Sequence, residues 1–139
     1  MSLSSFTKTV DLLHRGLDVL SLRYAVSSNN LANSEVPNFK RTDVNFESQL
    51  KRALDSEKTS ANAFQMKRTR DTHLSSDNVI DYRTVKPRRV TDYMSTVKAN
   101  GNNVDAEEEA MLILKTQMQY QLMTQLLNFE FAQVKSVLK

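Results

Sequence analysis

The feature that most constrains this chain is a heptad seam at its start. Leu3, Phe6, Val10, Leu13, Leu17, Leu20, Tyr24 and Leu31 follow alternating steps of three and four, with Ser27 alone interrupting the series. Such spacing puts every apolar side chain on one narrow stripe of an α-helix. A straight helix from about residue 3 to 33 runs roughly 45 Å. Gly16 sits inside it at about 1 kcal/mol relative to Ala. Either it lets another helix approach closely, or it is merely tolerated. The helix must stop before Pro37, because the proline ring pushes Val36 into extended geometry.

The last thirty-five residues predict a second long helix. Asp105 is a suitable N-cap, Glu108 stands three residues on as in a capping box, and Glu107 and Glu109 favour the positive end of the helix dipole. Gly101, Asn102 and Asn103 supply the turn before it. Ile113, Tyr120, Met123, Leu127, Phe131, Val134 and Leu138 lie on one stripe, flanked by Met111, Leu114, Met118, Leu122, Leu126 and Phe129. The apolar face is wider than that of the first helix, so this helix is expected to meet more than one neighbour.

The middle of the chain reads differently. Three segments follow: residues 1–40, a central segment 41–103, and the C-terminal helix 104–139. A short amphipathic helix is expected at about 44–54, with Phe46, Leu50, Ala53 and Leu54 inward. From Asp55 to Asn103 apolar residues are sparse, and the segment is expected to be partly extended or mobile unless a partner orders it. The overall +3 charge resolves into twelve basic and seven acidic residues over 40–90, against balanced or mildly acidic ends.

Composition excludes several function classes. The absence of Cys removes disulfide scaffolds, Cys-based metal sites and thiol catalysis. Two Gly in 139 residues, at 16 and 101, argue against a Gly-rich phosphate loop. There is no apolar run long enough to span a membrane, and no cleavable secretory signal is visible. His14 and His73 lack a metal-ligand partner at i+4. No catalytic residue, metal ligand or cofactor site is expected.

The fold class is therefore mainly α: an antiparallel, coiled-coil-like hairpin of long terminal helices around a polar insert. Each helix of a two-helix hairpin covers only one side of the other, so much apolar surface stays in water. Association with further helices is the expected remedy, since burying a Leu-sized side chain yields roughly 1.5–3 kcal/mol.

Two motifs give this pattern a family. Asn30, Leu31, Ala32, Asn33 and Pro37, with Phe39 beyond, resemble the N-terminal signature of the bacterial flagellar axial proteins of rod and hook. Val36 stands where that signature has Thr, Asn38 where it has Gly, and Phe39 where it has Tyr. Gly101, Asn102, Val104 and Asp105, then Glu107, Glu109, Gln117, Tyr120 and Gln121, resemble the start of the C-terminal helix of the proximal rod proteins. The resemblance covers residues 1–40 and 98–139 well and the middle weakly.

The resemblance implies a structural part of the flagellar basal body, in a rod that crosses the periplasm and transmits torque from membrane ring to hook. It implies export through the flagellum's own type III apparatus without signal cleavage. The implied partners are copies of the chain itself, other rod proteins, and the adaptor joining rod, export gate and membrane ring. It implies no nucleic acid, membrane insertion or cofactor. Within that reading the N-terminal seam pairs with the C-terminal stripe, and Asn30 and Asn33 close the helix end against the next subunit. Two other readings compete. A basic nucleic-acid binder would use Lys67, Arg68, Arg70, Lys86, Arg88 and Arg89 as phosphate contacts. A coiled-coil adaptor would form a discrete dimer.

Overall fold

The computed structural model describes residues 3–62, 70 and 79–138, and these are mainly helical with one small sheet. Helix α1 spans Leu3–Ala32, strand β1 Thr42–Asn45, helix α2 Glu47–Asn62, strand β2 Arg88–Thr91 and helix α3 Ala106–Val137. A 3-10 turn covers Tyr82–Thr84. The chain forms two compact units, Met1–Val44 with Arg89–Lys139, and Asn45–Arg88.

In the first unit α1 packs against α3. The rings of Phe6 and Phe131 meet edge to face, with centroids 6.0 Å apart, and Gly16 faces Met123. Asn30 reaches Glu109 near the other end. Contacts thus move down α3 as they move up α1, so the two helices run antiparallel. A Cβ on Gly16 would lie 2.8 Å from Met123 Sδ, closer than contact allows. Of the two roles open to Gly16, the one observed is close approach of the neighbouring helix.

Three local devices end and start these helices. Asn33 N–H bonds back to the carbonyls of Asn29 and Asn30, closing α1. Asn38 then takes a positive φ of 61°, a left-handed geometry that Asn tolerates better than most residues. The position that carries Gly in the axial-protein signature is here filled by the next most permissive residue. Asp105 caps α3, its Oδ1 accepting from Glu107 N (2.9 Å) and Glu108 N (3.4 Å).

Strand β1 pairs with β2. The Asp92 N–H donates to Arg41 O, and the Thr42 and Thr91 hydroxyls meet at 3.1 Å, which is the antiparallel register. Here the expected helix at about 44–54 departs from the structure. Val44 lies on a strand, and the helix begins only at Glu47 but runs on to Asn62. Ser56 and Thr59, in the segment expected to be partly extended or mobile, sit on helix, with their hydroxyls bonded back to the carbonyls of Ala53 and Asp55.

The second unit packs α2 against the 3-10 turn. Ile80 N–H donates to Ser56 Oγ at 3.0 Å, and Asp81 caps the turn by accepting from Arg83 N. Phe46, Ala53 and Tyr82 are its buried residues among those described.

Candidate functional site

The core of the first unit is unusual in being more than half polar. Beside Val19, Leu20, Val26, Val44 and Val104 it buries Ser27, Asn30, Ser34, Asn102, Asn103, Glu109 and Thr116. Buried polar groups are costly unless paired, so their hydrogen bonds say what the region is built to hold.

Asn30 joins three elements. Its Nδ2 donates to Thr42 O (2.7 Å) and to Glu109 Oε1 (3.2 Å), and its Oδ1 accepts from Thr42 N (3.1 Å). An amide side chain thus imitates a strand, pairing with both backbone groups of one residue in β1. Arg41 Nε donates to the same Glu109 Oε1 at 2.5 Å. Burial works against the Arg41 charge, but the hydrogen bond and the field of Glu109 outweigh it, and the guanidinium pKa is raised. Glu109 has no exposed surface, and its second oxygen, Oε2, makes no hydrogen bond.

Asn102 does the corresponding work at the end of α1. Its Nδ2 lies 2.9, 3.0 and 2.8 Å from the carbonyls of Asn33, Ser34 and Val36, which also accept from Val36 N, Lys98 Nζ and Phe39 N respectively. Its Oδ1 accepts from Val104 N at 2.7 Å. Asn103 holds the other side, with Oδ1 accepting from Arg41 N and Nδ2 donating to Asp92 O. Gly101, at φ 82°, faces Asn38 so closely that a Cβ would lie 2.5 Å from Asn38 Oδ1.

Both sequence motifs therefore meet in one place. Asn30, Asn33, Gly101, Asn102, Val104, Asp105 and Glu109 gather where α1 ends and α3 begins. The side chain of Asn30 is spent within its own chain, and that of Asn33 bonds Asn29 O at 2.7 Å. For the buried Asn30 this internal role replaces the expected contact with the next subunit. Leu31 and Phe39 are half-buried, while Ala32, Pro37 and Glu107 are exposed.

The seam residues fall into three groups. Phe6, Val10, Leu13 and Leu17 on α1, and Ile113, Met123, Leu127 and Val134 on α3, are half-buried, and Leu20 is buried. Tyr24, Tyr120, Phe131 and Leu138 are exposed. Leu3 opens α1, but its side chain lies outside the described part. Buried positions on α1 move to Val26, Ser27 and Asn30 towards its end. A helix of 3.6 residues per turn drifts from a 3.5-residue seam by about 20° per heptad, which carries Tyr24 outward.

The flanking residues of α3 do not widen its stripe; they form a second one. Met111, Leu114, Met118, Leu122, Leu126 and Phe129 recur in steps of three and four and are 46–72% exposed. At 3.6 residues per turn they lie on the face opposite Ile113, Thr116, Met123 and Leu127. Beside the seam, Leu20, Ser21 and Tyr24 of α1 and Thr116, Gln117, Tyr120 and Gln121 of α3 line an open groove of about 520 Å³.

Other candidate residues stay apart. Arg70, Lys86, Arg88 and Arg89 are exposed, while Lys67 and Arg68 lie outside the described residues, as does His73. Among the described residues there is no group of three or more metal-ligating side chains, and no helix is long and apolar enough to cross a membrane.

A long helical hairpin locked by an internal polar node, with a continuous apolar face turned outward, defines the class of helical structural proteins. The chain is 43% identical over 137 residues to the flagellar basal body rod protein FlgB of Borreliella burgdorferi, covering 99% of this chain and 100% of that one. It is 42% identical over 134 residues to FlgB of Borrelia hermsii, covering 96% and 98%. With FlgB of Bacillus subtilis it shares 28% identity over 136 residues, covering 98% and 97%. No family model matches the chain. The chain belongs to the FlgB family of flagellar basal body rod proteins.

Proposed function

We propose that the chain is a subunit of the proximal rod, and that its terminal helices assemble side by side into a helical tube that transmits torque from membrane ring to hook. The observation that carries this reading is the second apolar stripe of α3. The inner stripe is used by α1, packed in a coiled-coil-like hairpin, so Met111 to Phe129 remain for a neighbour. Covering each of these half-exposed side chains stabilises an assembly by roughly 1–2 kcal/mol. Close-packed interfaces of this kind deform little, which is what a torque-bearing tube requires.

The neighbours in this reading are copies of the chain, other rod proteins, and the adaptor at the export gate and membrane ring. The subunit reaches its place in the periplasm through the flagellar type III apparatus without signal cleavage. The motif residues Asn30, Asn102 and Glu109 set the angle at which the two helices leave the turn, and so the shape of the unit that is stacked. Chromosomal disruption of the gene tests the assignment. Cells without rod and hook are expected; a normal flagellum overturns it.

A further inference from the structure

A loop in the first unit presents apolar side chains that stand exposed among the described residues. Tyr93, Met94 and Val97 follow strand β2 and are 75%, 97% and 61% exposed. The backbone beneath them is tied down. Asp92 Oδ1 accepts from Met94 N (2.9 Å) and Ser95 N (3.2 Å), and Asp92 Oδ2 accepts from Ser95 Oγ (2.5 Å). Lys40 Nζ donates to Ser95 O and Gly101 O, and the Asn103 amide reaches Ser95 Oγ. The loop is therefore pre-shaped, and little backbone order remains to be lost when its tip is covered.

We propose that the Tyr93–Met94 tip of one copy seats in the groove between Tyr24 and Tyr120 of a second copy, as a directional contact between subunits. Three observations select that occupant. First, the tip residues 93–97 carry no charge, and neither does any residue lining the groove; no ion is stripped of water when they meet. Second, the chemistry matches. Gln117 and Gln121 offer amide partners to the Tyr93 hydroxyl, and the two groove tyrosines offer rings to the Met94 sulfur. Third, the groove volume of about 520 Å³ lies within the roughly 300–1,000 Å³ of clefts that hold a drug-sized molecule, room enough for Tyr93 and Met94 together.

Knob and groove are different surfaces of the same chain, and the proposal has each knob fill the groove of the next copy, a heterologous contact that runs on as a ring or an open array in place of a reciprocal pair. The proposal rests on the rod reading for its purpose but not for its test. An aromatic side chain buries about 150–250 Å², so the tip alone falls short of the roughly 1,200 Å² typical of a stable complex. It adds direction to an array held chiefly by other faces, and free chains are expected to meet through it only at high concentration.

The lack of native Cys permits a direct test by disulfide trapping of the purified full chain. A chain carrying both Met94→Cys and Gln117→Cys, oxidised at high concentration, is expected to give a ladder of dimers, trimers and larger species. Met94→Cys with Gln133→Cys, an exposed position away from the groove, is expected to give at least tenfold less. Both altered sites are exposed, and circular dichroism verifies that helicity is kept. A ladder equally strong in the control, a dimer formed by Met94→Cys alone, an internal disulfide within one chain, or no ladder overturns the proposal. A disruptant lacking rod and hook together with no ladder refutes this contact alone, whereas a normal flagellum in the disruptant refutes the rod reading.

Discussion

Arg41 Nε donates to Glu109 Oε1 at 2.5 Å, and Glu109 has no exposed surface while the Arg41 side chain is 23% exposed. One end of this pair belongs to the approach to β1 and the other to the first turns of α3. With Asn30 sharing the same oxygen, it fixes how the two ends of the hairpin join. Removing one partner of a buried ion pair costs about 3–5 kcal/mol, because the other is left buried and unpaired. Arg41→Met strands the carboxylate and is expected near the top of that range. Glu109→Gln leaves a partly hydrated arginine and is expected near the bottom. Thermal unfolding of the two variants checks both the size and the order.

Asn102 supplies the second lock. Three carbonyls lie within hydrogen-bond distance of its Nδ2 and one N–H of its Oδ1. Asn102→Ala is expected to cost about 1–3 kcal/mol, because the N–H of the fully buried Val104 is left without its acceptor. Chemical denaturation measures it, and hydrogen exchange should place the loss at the end of α1.

Gly16 makes a prediction whose sign depends on Met123. Alanine gains about 1 kcal/mol in helix propensity but sets a Cβ 2.8 Å from Met123 Sδ. That sulfur is near the end of a flexible side chain, so Gly16→Ala is expected to fall within about 1 kcal/mol of neutral. Gly16→Leu has no such escape and is expected to cost about 1–3 kcal/mol through overpacking. If Met123 is the obstacle, Met123→Ala recovers part of that loss, and a double-mutant cycle in denaturant reads the coupling.

The turn beneath Tyr93 responds to acid, and the sign follows from Asp92. Hydrogen bonds from the Ser95 hydroxyl and from the N–H groups of Met94 and Ser95 favour its ionised form, so its pKa is lowered from the ordinary 3.8. A lowered carboxylate pKa gives order that is fully present above the unfolded-state value and lost as pH falls through the folded-state value. The amide resonances of Met94 and Ser95 are therefore expected to be constant from neutral pH down to about 5 and to shift only below the usual Asp range.

The terminal helices are legible in the sequence because their signals are local. Asp105 as a cap, Pro37 as a stop and a four-heptad repeat each act within a few residues, and α1 and α3 end within a residue or two of where those signals put them. Strands β1 and β2 are not legible, since Thr42 is held by the side chain of Asn30 and by a partner about fifty residues away. Glu109 has the place of a residue facing the helix dipole, yet it is buried. A signal for it existed: stepping back from Met123 and Thr116 through Ile113 reaches residue 109 on the same inner stripe. A charged residue there announces an ion pair, though not that Arg41 is its partner. The opposed stripes of α3 look like one wide face in the sequence because apolar residues alone do not say where a neighbour ends.

The central claim is that the outward stripe of α3 is an assembly face and not part of the fold. Leu122→Glu tests it in cells and in solution. Leu122 lies on α3 and is 56% exposed, so the purified variant should keep its helicity and lose less than about 1 kcal/mol of stability, as exposed positions do. Electron microscopy of basal bodies from cells carrying only this variant should then reveal membrane rings without a completed rod. Normal rods built from a folded Leu122→Glu chain would contradict the account.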